Sequence, residues 1–489
     1  MKYKQHRFDE LISQYDSKIL IQEFAKINQN IFNNKAKNKE PYIEIIMERG
    51  FRKITNIVGH WTIRDIIIRI ISRAHNDNYA LIKKNINDEE LKEIIAQFGV
   101  YEQENSKKIK EADIFYILHG YSEQQFYCQV NRSLDNFTRN RIIFVEINRL
   151  SGNILDIETP LMNTLGLNYH EFQYLMAVLY IKSKDDINPL NYKEGYFNGA
   201  DFIDAESKYK KLVKYFTGEY KDVQEVDSNL ARYLFPIIFD GTSTTVIDMF
   251  MLEQKLYEGD YWVIREYYCK NPLKRDANYF PNTFGILFEN YIKEILKDIK
   301  NCCYTQLTNE NSKEILKAST DNNEIYADFI IETTKYCVIL EVKSAILAPK
   351  GRDIIDNREA VMKFYERTFV RGSEQVLNTI KRFEPNDRNC YGMVLYYKDG
   401  FLKNSTKDIY LRDVNREELR SVLAIDITEF EYLLSAIDKD TELGENIIKS
   451  FVDVNEKQDR SKGSDLLNHI NIFDTSLRSA IRKFDTIGL

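Results

Sequence analysis

Ile325-Tyr326-Ala327-Asp328-Phe329-Ile330-Ile331 and, six residues later, Val338-Ile339-Leu340-Glu341-Val342-Lys343 decide how this chain is read. Both are apolar runs of strand length, yet they carry an aspartate, a glutamate and a lysine. Apolar strands do not accept charges casually, because burying an unpaired charge is expensive. Alternation puts Glu341 and Lys343 on one face, with Val342 on the other. Glu332-Thr333-Thr334-Lys335 between the runs predicts a hairpin turn. Folding about it sets Asp328 opposite Ile339, within about one residue of register, and so on the Glu341–Lys343 face. Two carboxylates and an ammonium then converge on a patch suited to a divalent cation and a phosphate group.

The elements around the hairpin extend the argument. Residues 284–300 read as an amphipathic helix carrying Glu289. After the hairpin come a long polar and helical insertion at 348–383, a strand at 391–397, a candidate strand at 408–411 and a strand at 422–427. A helix follows at 428–437, with Thr428 and Glu431 spaced as a capping box. The predicted order is helix, two strands, helix, three strands, helix. It points to an α/β domain with a mixed central sheet flanked by helices.

Asp328, Glu341-Val342-Lys343 and the preceding Glu289 helix together resemble the PD-(D/E)xK nuclease superfamily, the restriction-endonuclease-like fold. The resemblance covers about residues 278–437 and does not reach the N-terminal half. It implies that Asp328 and Glu341 bind Mg²⁺, with Mn²⁺ as a substitute, and that Lys343 orients the attacking water. Glu289 would be the helix acid that many members add to the metal shell. Gln375 falls where some subfamilies keep a glutamine on the helix after the active-site strands; they place tyrosine four residues on, where this chain has Thr379. The family's proline before the aspartate is replaced by Ala327, a change in backbone shape that removes no chemistry. The residue types make sense by themselves: phosphodiester hydrolysis needs charge neutralised on the phosphate and a nucleophile made from water near neutral pH.

The rest of the chain limits this reading more than it extends it. At 489 residues there is room for two or three domains. Residues 1–275 read as a mostly α-helical accessory or recognition domain, with a possible boundary near 184–201, where Pro189, Gly195 and Gly199 cluster. Residues 276–437 form the expected nuclease domain. Residues 438–489 read as a charged tail with a short helix near 475–484.

The net charge of −7 gives no bulk electrostatic footprint for nucleic acid. Local patches remain open, and Lys350, Arg352, Arg367, Arg371 and Arg388 are interleaved with acids after the active-site strands. No apolar run reaches the length of a membrane helix, and the N-terminus has no signal-peptide core, so a cytoplasmic protein with no membrane partner is expected. Six scattered cysteines show no zinc-ligand spacing. His170-Glu171 opens like a zinc-protease motif but has Tyr174 where the second histidine must stand. Asp240-Gly241 reads as a turn between helices.

The leading expectation is a Mg²⁺-dependent endonuclease acting on DNA more than on RNA, working as a homo-oligomer such as a dimer, in restriction or antiviral defence. The alternatives are an RNA-directed nuclease and a scaffold subunit that grips nucleic acid without cutting it.

Overall fold

A computed structural model of the protein describes residues 2–36, 42–49, 52–73, 85–106, 133–225, 235–270, 278–317, 325–346, 358–385, 387–397 and 403–456, with Leu466 and His469. Contacts divide these into two compact units. The first takes residues up to 113 together with 157–267; the second takes 134–156 and everything from 268 onward.

The first unit is largely helical: α1 (Lys2–Ile12), α2 (Ser17–Ala36), α3 (His60–Arg73), α4 (Asp88–Ser106), and, in the later segment, α6 (Tyr169–Asp185), α7 (Ala205–Tyr215) and most of α8 (Met249–Lys270). It also holds strands that the sequence reading did not foresee. β1 (Tyr42–Arg49) pairs antiparallel with β2 (Arg52–Gly59), and a small sheet combines β3 (Thr217–Glu219), β4 (Ile237–Phe239) and β5 (Thr244–Val246). Asp240-Gly241 is therefore a turn between strands, not helices. Asp240 Oδ1 accepts from the Thr242 and Ser243 amides at 2.8 and 2.7 Å, and Gly241 takes φ +91°. The aborted zinc motif has an ordinary role: Glu171 closes a capping box with Asn168 at the start of α6.

The second unit is built on a five-stranded mixed sheet: β6 (Cys303–Gln306), β7 (Phe329–Glu332), β8 (Tyr336–Lys343), β9 (Asn389–Tyr396) and β10 (Leu423–Asp426), in the order β10-β9-β8-β7-β6. The β6–β7 and β7–β8 pairs are antiparallel, while β8, β9 and β10 run parallel. β8 is buried from Tyr336 through Glu341, which explains its near-continuous apolar run. On one face Cys337, Ile339, Val394 and Ala424 join a core with Val361, Val370 and Val376, contributed by α10 (Arg358–Tyr365), a π-helical turn (Glu366–Val370) and α11 (Arg371–Arg382). On the other, α9 (Tyr279–Lys297) sets Phe284 and Phe288 edge-on to Tyr397, with ring centres at 4.9 and 5.2 Å.

Several expectations change here. The hairpin turns one residue later than predicted. The Thr333 amide donates to Tyr336 O and Glu332 pairs with Cys337, so the register is Phe329↔Leu340. That places Asp328 against Glu341 instead of Ile339. A shift of two residues preserves the face, so the convergence survives. Residues 408–411, expected as a strand, lie in α12 (Lys403–Asp413). There Asn404 exchanges two hydrogen bonds with the Ala424 backbone at 2.9 and 2.8 Å, so a helix, not a further strand, covers the β10 edge. β6, short and only partly buried, was not predicted.

The capping box of α13 (Ile427–Lys439) is Asp426 with Glu429, not Thr428 with Glu431. Thr428 and Glu431 instead receive the Arg139 guanidinium from α5 (Ser133–Arg141), at 3.0 Å to Thr428 Oγ1 and at 2.6 and 2.8 Å to the two Glu431 oxygens. Tyr291 Oη also donates to Glu431 at 2.6 Å. The stretch expected as a charged tail supplies α14 (Thr441–Glu456), which buries Ile447, Ile448 and Phe451. Its Glu445 ties down the β7–β8 turn by accepting from the Lys335 amide at 2.7 Å and Thr333 Oγ1 at 2.9 Å. The helix expected at 475–484 lies outside the described residues.

Candidate active site

Because β8 and β9 run parallel, Lys343 and Tyr396 end together at the carboxyl edge of the sheet, and antiparallel β7 begins at that same edge. Open α/β sheets place their ligands at such edges. Asp328 immediately precedes β7. Its Oδ2 accepts from the Val342 amide at 2.8 Å, and its own amide donates to Leu340 O at 3.1 Å. The aspartate is thus clamped to the strand that bears Glu341. Glu341 is 2% exposed, and its Oε1 accepts from Lys343 Nζ.

Lys343 Nζ also donates to Gln375 Oε1 at 2.9 Å. Gln375 Nε2 in turn donates to Tyr326 O at 3.2 Å, which ties α11 to the chain entering Asp328. Thr379, one helical turn on, reinforces the tie: its Oγ1 accepts from the Ala327 amide at 2.8 Å. Gly372 permits this closeness, since a Cβ there would stand 3.2 Å from Val394 Cγ1 and 3.3 Å from Lys343 Cε. Sequence reasoning named Asp328, Glu341, Lys343 and Gln375, and the structure brings all four together. It missed Tyr326 and Thr379, whose roles run through a backbone carbonyl and a backbone amide and leave no side-chain pattern to find.

Glu289 projects from α9 and accepts from Gln306 Nε2 at 2.8 Å. It bears on Asp328 through its charge. Burial first, then repulsion from Glu289, pushes the Asp328 carboxyl up to about 6, against the pull of the Val342 amide and Lys343. Burial first, then Asp328, holds Glu341 well above the usual carboxylate range. Among the described residues no group of three or more His, Cys, Asp or Glu side chains gathers as a metal-ligand set. The acids that meet are two, Asp328 and Glu341.

Two carboxylates still fit a divalent cation. Glu341 Oε2 is buried and accepts from no amide, hydroxyl or ammonium group, its carboxyl meets that of Asp328, and the two acids outnumber Lys343. A buried carboxylate oxygen without a donor is costly unless a proton or a cation meets it. Mg²⁺ keeps several of its waters, so two protein ligands suffice.

Around the site, Arg367 and Arg371 are exposed in the turns that lead to Gln375, while Arg388 is committed to Glu332 and Thr333 O at the far end of the hairpin. Lys350 and Arg352 lie outside the described residues. A cavity of about 230 Å³ lined by Tyr391, Lys407, Asp408 and Arg420 opens beside the amino ends of β9 and β10 and shares no residue with the carboxylate site. No helix among the described residues is long and apolar enough to cross a membrane. Comparison with protein-family models, with curated proteins and with solved structures finds no match.

Proposed function

We propose that the second unit is a metal-dependent nuclease domain that hydrolyses phosphodiester bonds, with DNA as its substrate. One observation carries the reading: Asp328 and Glu341 meet at the carboxyl edge of the sheet beside a lysine that a glutamine holds in place. Asp328 and Glu341 would hold Mg²⁺ or Mn²⁺. Bound there, the cation would supply Lewis-acid polarisation of the phosphoryl oxygen and a more acidic water.

The chain's own contribution is positional and electrostatic. The Val342 amide fixes Asp328, and Gln375 fixes Lys343, so neither group must reorganise when substrate arrives. The Lys343 ammonium, a compact charge, orients water and steadies negative charge developing on the phosphate. Exposed Arg367 and Arg371 would meet flanking phosphates, which position a duplex without reading its sequence. Cutting both strands needs two sites, so a dimer acting in the cytoplasm, in restriction or antiviral defence, completes the proposal.

The test is a cleavage panel on plasmid DNA and matched RNA with Mg²⁺ or Mn²⁺. Wild type is expected to nick or cut DNA, while Glu341→Ala and Lys343→Ala are inert yet folded. Wild type as inert as Glu341→Ala on both substrates would sink the proposal, and cleavage of RNA alone would reassign the substrate.

One observation favours a second reading, a nucleic-acid scaffold: Glu289 does not complete a three-acid ligand set. Calorimetric titration with Mn²⁺ separates the two, since a scaffold has no need of a cation at Asp328 and Glu341.

A further inference from the structure

Two buried polar atoms on one face of the sheet lack partners. One is Glu341 Oε2. The other is the hydroxyl of Tyr396, a residue only 7% exposed. Tyr396 stands beside Lys343 in the β8–β9 register, and Glu341 stands beside Val394, so both side chains share a face and lie on a diagonal one step apart. The ring packs against Phe369 of the π-helical turn, with centres at 4.8 Å. Burial first, then Tyr365 and after it Glu341, bear on that hydroxyl. Neither atom is a hydrogen-bond partner of the other, so the gap between them is longer than a direct bond. Native interiors seldom leave such groups unmet, and a polar gap of this kind is where an ordered water belongs.

We propose that Tyr396 is a positioning residue whose hydroxyl holds one water against Glu341 Oε2 and so orients that carboxylate toward the cation. The proposal rests on the reading of Asp328 and Glu341 as cation ligands. It assigns Tyr396 no contact with substrate. Its role is that of an outer partner that fixes a ligand's direction, and loss of such partners typically weakens metal binding by about 10- to 100-fold. The hydroxyl does this at little benefit to packing, because the ring alone fills the space against Phe369.

The experiment compares full-length wild type, Tyr396→Phe and Tyr396→Leu by Mn²⁺ calorimetry and by melting of the metal-free protein. Tyr396→Phe is expected to melt within about 2 °C of wild type and to bind Mn²⁺ about ten-fold more weakly. Tyr396→Leu, which loses the ring, is expected to melt lower. Wild-type affinity in Tyr396→Phe overturns the proposal, as does a melting loss in Tyr396→Phe equal to that of Tyr396→Leu. A crystal structure of the wild type provides a readout that needs no variant. Electron density for a water about 2.7–3.0 Å from both Tyr396 Oη and Glu341 Oε2 supports the proposal, and its absence refutes it. If wild type itself fails to bind Mn²⁺, the nuclease reading falls and takes this inference with it. If wild type binds and Tyr396→Phe matches it, only the inference falls.

Discussion

Lys343 donates to Gln375 Oε1 across 2.9 Å, and this bond joins the strand that carries Glu341 to helix α11. Without Gln375 the ammonium keeps its contact with Glu341 but loses the neutral acceptor that draws it off the carboxylate. It would then pair more fully with Glu341 and be less available to water and phosphate. Gln375→Ala is expected to lower kcat about ten-fold or more, since a positioned group usually acts by that much. KM should change little, and stability should fall by about 1 kcal/mol for the lost Tyr326 carbonyl bond. Steady-state kinetics with a urea titration checks both halves.

The acid pair makes an opposite prediction for stability. Asp328 titrates near 6 in the folded chain, above its ordinary value, and Glu341 is raised too. The folded state therefore holds protons that the unfolded state releases, so stability falls as pH rises through about 4 to 6. At pH 7 the metal-free fold bears this cost, at most about 2–3 kcal/mol for Asp328. Asp328→Asn and Glu341→Gln should abolish cleavage yet leave the metal-free protein as stable as wild type at pH 7, or more so. Their stability should also vary less with pH between 4 and 6. Mn²⁺ should raise the melting temperature of wild type and not of Glu341→Gln. Melting curves across pH, with and without Mn²⁺, decide it.

The sequence carried the hairpin and its charges because strand-length apolar runs mark buried strands, and a charge within such a run stands out. It misplaced the register by two because the turn tip is Thr334-Lys335 alone, held by Glu445 from a helix over a hundred residues away. Ile409-Tyr410-Leu411 looked like a strand by composition, whereas Asn404 and its bonds to Ala424 decide for a helix on the sheet edge. Asp426 and Thr428 offer two overlapping capping signatures; the one at the end of β10 wins, because Thr428 and Glu431 are engaged by Arg139. That pairing spans nearly three hundred residues, beyond what local pattern can show. Asp328, Glu341 and Lys343 were legible because charges inside apolar strands mark them, and Gln375 only through the family resemblance.

The Arg139–Glu431 pair is expected to be the most sensitive structural contact of the second unit. Both side chains are buried, their bonds are bidentate, and Tyr291, Thr428 and Asn136 add further hydrogen bonds. Removing one partner leaves the other charge stranded in the interior. Arg139→Met is expected to cost about 3–5 kcal/mol. Arg139→Met combined with Glu431→Gln should cost less than the sum of the two single changes, which a double-mutant cycle in urea measures.

Lys407 supplies a pH signature independent of the carboxylates. It lies in α12, fully buried, and donates to the Val422 and Arg420 carbonyls, while Asp408 sits 3.7 Å away. Burial pulls its ammonium down to about 8 despite Asp408. Below pH 8 the lysine is charged in both states, and the folded state carries the full desolvation cost. Between about 8 and 10.5 the folded chain has released a proton that the unfolded chain still binds, so stability rises with pH through that window. Lys407→Met removes the titrating group and should flatten this rise, whatever it does to stability at pH 7, where the two carbonyls lose their donor. Urea midpoints at pH 7, 8, 9 and 10 for the two proteins provide the measurement. Parallel curves would mean that the Lys407 ammonium keeps its ordinary affinity for protons inside the fold.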